Sequence, residues 1–205
     1  GYKAVRCSGT VSLGHDLVGR ALVRQKRLAS AVASFEEAMK ANRNDTVVAD
    51  HLALALYAAG RQPAAARLAE RRVVADATAL VPRAVLALDN HETMGQFAST
   101  AHAMLGEVEF ELLEASLMFA EFGLLHEAQR IVKAVCVDAV PPERRSFVPL
   151  YYLAWLDGLR GAAESSQHWL QEAAVTQLDG VFASRPEEIP ILRYAIEKNA
   201  GDGQA

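Results

Sequence analysis

The sequence predicts an all-α protein whose helical hairpins stack into an α-solenoid, and three observations predict it. Apolar residues recur at steps of three and four, the period of a helix that packs one face against a core. Alternating β-branched runs, which would indicate strands, are scarce. Two neighbouring segments, 17–35 and 51–69, repeat one pattern, and a short break interrupts each pattern near its middle.

The first two hairpins align at an offset of 34 residues. At this offset four pairs of positions coincide: Gly19 and Ala53, Leu22 and Leu56, Lys26 and Gly60, Ala31 and Ala65. Small residues are expected at such sites, because paired helices approach closely only where no bulky side chain stands between them. A helix–turn–helix of this period, with small residues at two fixed sites, resembles the tetratricopeptide repeat (TPR). The first copy also keeps the Ala-x-x-x-Phe step of that family as Ala31 and Phe35. The resemblance implies a right-handed superhelix of hairpins.

Two further copies follow downstream. LLEASLMFAEFGLLHEAQRIV carries Phe119 and a turn glycine at Gly123, and PLYYLAWLDGLRGAAESSQHWLQEA carries its turn glycine at Gly161. The extra residues between these copies fall in VPPERRS, where Pro141 and Pro142 would stop a helix. Residues 80–108 between the second and third copies hold a degenerate pair. We therefore expect about eleven helices and no strand.

These boundaries predict six segments. They are an N-terminal extension (1–11), two TPR-like repeats (12–79), the degenerate pair (80–108), two TPR-like repeats (109–178), a closing helix (179–199) and a flexible tail (200–205).

The C-terminal two-thirds resembles the TPR region of large bacterial proteins whose N-terminal domain has no known function and is thought to be carbohydrate-related. The stretches that match are ELLEASLMFAEFGLLHEAQRIV, PLYYLAWLDGLRG and FASRPEEIPILRYAIEKN. Where that family shows Arg-Leu-Glu-Glu, this chain has Arg185-Pro186-Glu187-Glu188, and Pro190 follows. A kinked last helix is therefore expected. The resemblance implies a scaffold within a larger protein linked to carbohydrate metabolism.

Composition excludes several classes of partner. With 21 Lys plus Arg against 25 Asp plus Glu, the net charge of −4 offers no broad basic surface for nucleic acid or an anionic membrane. The longest apolar run, 147–156, has about half the ~20 residues of a membrane-spanning helix. Cys7 and Cys136 form no disulfide or zinc pattern, so the sequence predicts a reducing, cytoplasmic location. Because it starts with Gly, the chain is expected to be a segment of a longer protein.

Paired glutamates at Glu187 and Glu188 raise the question of acid–base chemistry. Ser184-Arg185-Pro186-Glu187 has the S-x-x-E spacing of a helix capping box, and proline suits a first helical turn. We therefore interpret both glutamates as the start of a helix, whose regular part begins near Pro190.

No other pattern indicates catalysis. Glu107, Glu111 and Glu114 share one helix face, which is more typical of a solvated surface than of a cation site. The six histidines form no HxxxH or HxH pair, and no nucleophile elbow or phosphate-binding loop occurs. The sequence thus predicts no catalytic residue, no metal and no cofactor.

A binding groove is the remaining candidate site. In TPR arrays the first helix of each hairpin lines an inner groove. Carried onto this chain, those positions are Asp16, Arg20 and Arg24, then Asp50, Leu54 and Tyr57, then Phe110, Leu113 and Leu117, then Tyr151 and Trp155. Arg20 and Arg24 lie one turn apart and could grip a carboxylate. Tyr151 and Trp155 could anchor a peptide or stack on a sugar, or the apolar end could pack against the closing helix or a missing domain.

The predicted function is a non-catalytic scaffold that binds a protein, a peptide or a neighbouring domain of the same chain, with self-association as a further candidate. Asp16 and Asp50 stand where chaperone-tail clamps carry cationic or amide groups, so binding of chaperone tails is disfavoured. Two alternatives stay open. One is an all-helical glycan-processing enzyme that uses Asp16 and Asp50, and the other is the ligand-sensing part of a regulator.

Overall fold

The computed structural model describes residues 10–90, 93–106, 109–176 and 188–201, the last range with side chains to Lys198. Within these ranges all regular structure is helical. The α-helices are α1 Val11–Arg24, α2 Leu28–Ala41, α3 Thr46–Ala58, α4 Gln62–Ala75, α5 Leu80–Leu88, α6 Met94–Leu105, α7 Glu109–Glu121, α8 Leu125–Val132, α9 Val148–Leu159, α10 Ala163–Val175 and α11 Ile189–Gly201. The predicted all-α, TPR-like helical-repeat fold is confirmed.

Each turn from the first to the second helix of a hairpin contains one residue in the left-handed region. These residues are Lys26 (φ 58°), Gly60 (75°), Asn90 (63°), Gly123 (79°) and Gly161 (78°). After Gly60, the N–H of Arg61 donates to the carbonyl of Leu56 at 2.8 Å. This is the hydrogen bond of a Schellman motif that spans five residues. The same bond joins Arg27 to Leu22 and Ala162 to Asp157. The same turn geometry therefore recurs at these three turns, and Asn90 after α5 shares their positive φ.

The chain divides into two compact units. Unit 1 comprises the described residues up to Phe97 together with Glu121–Leu124, and unit 2 comprises Ala98–Ala120 and the described residues from Leu125 onward. In unit 1, α1 pairs with α2 and α3 with α4, and each hairpin packs on the next through α2 against α3 and α4 against α5. The first helices also meet in order, α1 with α3 and α3 with α5.

Gly19 explains why the first hairpin closes tightly. A Cβ atom at Gly19 would lie 2.5 Å from a ring carbon of Phe35, whose side chain is fully buried. Ala31 and Ala65, the small residues aligned in the sequence, are also fully buried. The small positions of the repeat thus lie in the core of unit 1, as their spacing predicts.

In unit 2, α8 packs against α9, and α9 packs against both α10 and α11. Helix α8 continues into a π-helical segment, Lys133–Asp138. A 3₁₀ turn over Pro142–Arg144 follows, at the two prolines that predicted a break. Because the π-helical segment and the 3₁₀ turn occupy the interval, α9 begins only at Val148.

The turn residues predict opposite effects of substitution at equivalent positions. No atom lies within 4 Å of a Cβ built at Gly60, so Gly60→Ala should cost about 1 kcal/mol through backbone strain alone. Lys26→Gly removes the same strain at the equivalent turn. The free energy of unfolding should rise by about 0.5 kcal/mol, because the conformational entropy that glycine loses on folding offsets part of the gain. Urea denaturation measures both variants. As a control, Gly95→Ala in the exposed part of α6 should stabilise by about 1 kcal/mol, because glycine there is only a weak helix former. Equal effects at positions 26 and 60 would contradict this account of the turns.

Candidate functional site

A buried acid–base pair lies in unit 1. Asp16 Oδ1 on α1 is 2.6 Å from His51 Nδ1 on α3, and both residues are buried, at 6% and 5% exposure. The His51 ring also contacts the rings of Phe35 and Phe122, with centroids 5.7 and 5.8 Å apart. This enclosed hydrogen-bonded contact joins α1 to α3 inside the hydrophobic core. Asp16, predicted as a groove residue, is therefore a core residue whose carboxylate is held by histidine.

Two predicted binding arginines hold a carboxylate of their own chain. Arg20 Nε and Nη2 donate to Glu121 at 3.0–3.2 Å, and Arg24 Nη2 donates to the same carboxylate at 2.9 Å. Phe122, the next residue, is 4% exposed and packs beside Phe35 and His51. The Glu121–Phe122 dipeptide thus docks through an ionic contact with α1 and through aromatic contacts with α2 and α3. The Arg24 side chain nevertheless stays 69% exposed.

Asp50 on α3 contacts Arg72 on α4 through a single N–O distance of 3.5 Å. Burial disfavours its charge and raises the pKa of Asp50 to about 6, although the Arg72 guanidinium opposes the shift. At 3.5 Å and with only one contact, the arginine does not offset the lost hydration. Asp50 therefore carries a destabilising charge at neutral pH.

This pKa shift predicts a pH-dependent stability. Because the pKa of Asp50 lies above its ordinary value of 3.8, the folded state binds more protons between pH 4 and 6. The free energy of unfolding should therefore fall by about 2–3 kcal/mol from this residue as pH rises through that window, then level off. Urea denaturation of wild type and Asp50→Asn at several pH values measures the difference, which should vanish near pH 4 and reach its maximum above pH 7.

Asp76→Asn provides a contrast for that series. Asp76 accepts hydrogen bonds from the hydroxyl and the N–H of Thr78, which lower the pKa of this exposed carboxyl. Its stabilising contribution is lost as pH falls, which is the opposite sign. A wild-type curve parallel to that of Asp50→Asn at every pH would refute the effect of burial on Asp50.

Unit 2 contains a second buried acid. Asp157 on α9 is 1% exposed and accepts hydrogen bonds from the indole N–H of Trp169 at 3.0 Å, from Arg160 at 2.9 Å and from the Ser165 hydroxyl. A buried carboxylate is tolerated where several donors replace its hydration. Asp157 thus joins α9 to α10 and is saturated by structural partners.

The closing helix α11 docks on the second hairpin of unit 2. The Tyr194 ring lies directly over Gly158, in the space that a side chain would need. The Tyr194 hydroxyl pairs with the Ser166 hydroxyl at 2.8 Å, and Ser166 donates to the carbonyl of Ala154. Regular helix begins at Ile189, one residue before the expected Pro190, and the expected capping box at 184–187 lies outside the described residues. Glu188 is buried.

The remaining predicted binding residues are aromatic and half-buried. Tyr151 and Trp155 lie one turn apart on α9, and Tyr151 meets the ring of Phe147 edge to face at 5.8 Å between centroids. Tyr57 lies near the end of α3 in unit 1. Leu54 and Leu113 are buried, whereas Phe110 is 54% exposed. Their role in binding stays a prediction.

Sequence reasoning missed the internal partners of these residues. The two arginines were recognised as able to grip a carboxylate, but nothing local connects them to Glu121, which lies about a hundred residues away. The pairing of Asp16 with His51 had a signal, because the two residues are 35 apart, within one residue of the repeat offset, and lie on consecutive first helices.

In the described ranges no group of three or more His, Cys, Asp or Glu side chains is arranged to hold a metal ion. None of the helices described is both long and apolar enough to cross a membrane.

The fold is that of an all-helical protein built from consecutive helical hairpins. No family model matches the chain, and no curated protein matches it in sequence. Similar solved structures include MamA 41-end from Desulfovibrio magneticus RS-1, at 11% identity and a TM-score of 0.43, covering 80% of this chain and 93% of that one. A "MamA RS-1 ArsTM double mutant" is similar at 11% sequence identity and a TM-score of 0.44, and the match covers 80% of this chain and 92% of that one. A further crystal structure of MamA protein is similar at 13% sequence identity and a TM-score of 0.45, and the match covers 87% of this chain and 100% of that one. Likeness at this level carries no conclusion about function.

Proposed function

We propose that the chain is a non-catalytic TPR-type scaffold that binds a protein partner through a preformed surface. One observation carries the proposal. The buried titratable side chains of Asp16, His51 and Asp157 are consumed by contacts that join helices, whereas the aromatic pair on α9 keeps part of its surface open. Groups committed to packing are poorly placed for chemistry, and half-exposed aromatic side chains are common anchors of protein interfaces.

The partner-binding surface in this proposal is centred on Tyr151 and Trp155. Aromatic side chains contribute a large apolar area at a low cost in conformational entropy. Helix α9 is a suitable platform, because it packs against α8, α10 and α11 and is tied to α10 through Asp157. A rigid support loses little freedom on binding, which favours affinity.

A pair of variants in unit 2 tests the proposal. The wild-type chain and its Trp155→Ala and Val175→Ala variants are used as bait, and captured proteins are identified by mass spectrometry. Val175 is the control because it is an apolar residue that is 82% exposed at the end of α10 and not on α9. We expect at least one partner whose affinity for purified Trp155→Ala falls about tenfold or more, as for an interface hot spot, while Val175→Ala retains it. Binding by Trp155→Ala equal to that of wild type would exclude the aromatic pair as the contact surface.

The resemblance in sequence extends the proposal. The chain would form the TPR part of a larger cytoplasmic bacterial protein linked to carbohydrate metabolism, where it holds a neighbouring domain or self-associates. What supports this extension is the three matching stretches between 111 and 199, and for the compartment the free, buried Cys136. The proposal prefers this role to the glycan-processing alternative, because Asp16, one of the two acids of that alternative, is buried and contacts His51.

A further inference from the structure

Two adjacent grooves border the hairpin turns of unit 1. The first has a volume of about 400 Å³ and the second about 530 Å³. They share Lys26, Leu28 and Ala58, so they lie side by side where the α1–α2 turn meets the end of α3. We call this surface the basic turn groove.

The rim of the basic turn groove is cationic. Arg24 lines the first groove, Arg27 lines the second, and Lys26 lines both; all three are exposed. Glu121 is the single acid among the residues that line either groove. Because the whole chain has a net charge of −4, this surface is a local exception that would steer a negatively charged segment.

The floor of the groove is apolar. Val23, Leu28 and Leu124 line the first groove with aliphatic side chains. A floor of this kind takes up apolar side chains, which a bare phosphate backbone does not supply. The groove therefore fits a chain that alternates acidic with apolar side chains better than it fits a nucleic acid.

A segment with that chemistry already lies at one end of the groove. The Glu121 carboxylate is bound by Arg24 at 2.9 Å, and Phe122 beside it is buried. The guanidinium of Arg24 has five N–H donors in a fork, and its side chain is still 69% exposed. It can therefore donate hydrogen bonds to a second carboxylate. Glu121 and Phe122 show which residue types this surface accommodates.

We propose that the basic turn groove is a second binding site, one that takes an acidic peptide in which carboxylates alternate with leucine-like side chains. The site rests on the proposed function, since a partner protein would supply the peptide, but it is separate from the aromatic surface on α9. Recognition combines ion pairs from Arg24, Lys26 and Arg27 with burial of one or two apolar side chains.

Fluorescence anisotropy with defined probes tests the site. The labelled peptide Glu-Leu-Glu-Asp-Leu-Glu is titrated with wild type, with Lys26→Asn/Arg27→Gln, and with Arg67→Gln/Arg71→Gln. Asparagine keeps the left-handed turn at position 26, and the control pair removes the same charge from the exposed face of α4. We expect binding that weakens with salt, a loss of about tenfold in the first double variant, and a change below about twofold in the control.

Four results would overturn the proposal. They are no detectable binding at low salt, equal binding of the neutral peptide Gln-Leu-Gln-Asn-Leu-Gln, an equal loss in the control variant, and tighter binding of single-stranded oligothymidine than of the acidic peptide. The last would assign the groove to nucleic acid. None of these measurements involves Trp155, so a failure here leaves the capture result on α9 intact, and a failure on α9 leaves the peptide titration to stand alone.

Discussion

His51→Leu should destabilise the chain by about 3–5 kcal/mol, because it leaves the carboxylate of Asp16 buried without a partner. Asp16 is 6% exposed, and its Oδ1 lies 2.6 Å from Nδ1 of His51. Leucine roughly preserves the volume between Phe35 and Phe122, so the loss reflects the unpaired charge more than a cavity. Urea denaturation monitored by circular dichroism measures it.

The double variant Asp16→Leu/His51→Leu is the decisive companion. Replacing both members of a buried pair by apolar residues is often close to neutral, so most of the lost stability should return. His126→Leu, at an exposed position of α8, is the control and should change stability by less than about 0.5 kcal/mol. If the double variant were as unstable as His51→Leu alone, the lost stability would come from the contacts of the His51 ring with Phe35 and Phe122. The unpaired charge of Asp16 would then not be its cause.

Asp157→Ala should cost about 3–5 kcal/mol, because it removes the shared acceptor of three donors. The Trp169 indole N–H is in a residue that is 7% exposed and cannot turn to water, so it would remain unsatisfied. Hydrogen bonds to a buried carboxylate are charge-assisted and stronger than neutral ones. Thermal and urea denaturation, with hydrogen exchange across α9 and α10, report the loss.

Arg160→Ala separates the contribution of the exposed donor from those of Trp169, which is buried, and Ser165, which is half-buried. The Arg160 side chain is 30% exposed, so its loss should cost about 1 kcal/mol or less. If Arg160→Ala destabilised as much as Asp157→Ala, the ion pair with Arg160 would be the important contact, and the role assigned to Trp169 and Ser165 would be wrong.

The fold was predictable because its signals are local. The 34-residue spacing, the small residues Gly19 and Ala31, and the turn glycines at 60, 123 and 161 each act within one hairpin. The alignment placed Lys26 at the position equivalent to Gly60, and Lys26 has the positive φ of that position, although lysine seldom adopts it. Asn90 has the same positive φ, and asparagine is one of the few residue types besides glycine that tolerate this conformation.

The candidate site was predictable only in part, because its contacts join distant residues. Arg20 and Arg24 were correctly seen to be one turn apart, but their partner Glu121 is the last residue of α7, six helices later along the chain. Nothing in the sequence near Gly158 indicates that a Tyr194 ring lies over it. Pairings of this kind depend on how hairpins stack, which periodicity does not specify.

The most direct test of the account is the affinity of the Asp16→Leu/His51→Leu variant for the partner captured through α9. Under conditions where circular dichroism shows this variant to be folded, the account predicts wild-type affinity, because the buried pair serves only the fold, whereas Trp155→Ala loses the partner. A folded double variant that had lost the partner, together with a Trp155→Ala variant that kept it, would contradict the assignment of binding to the surface and of the buried pair to the core.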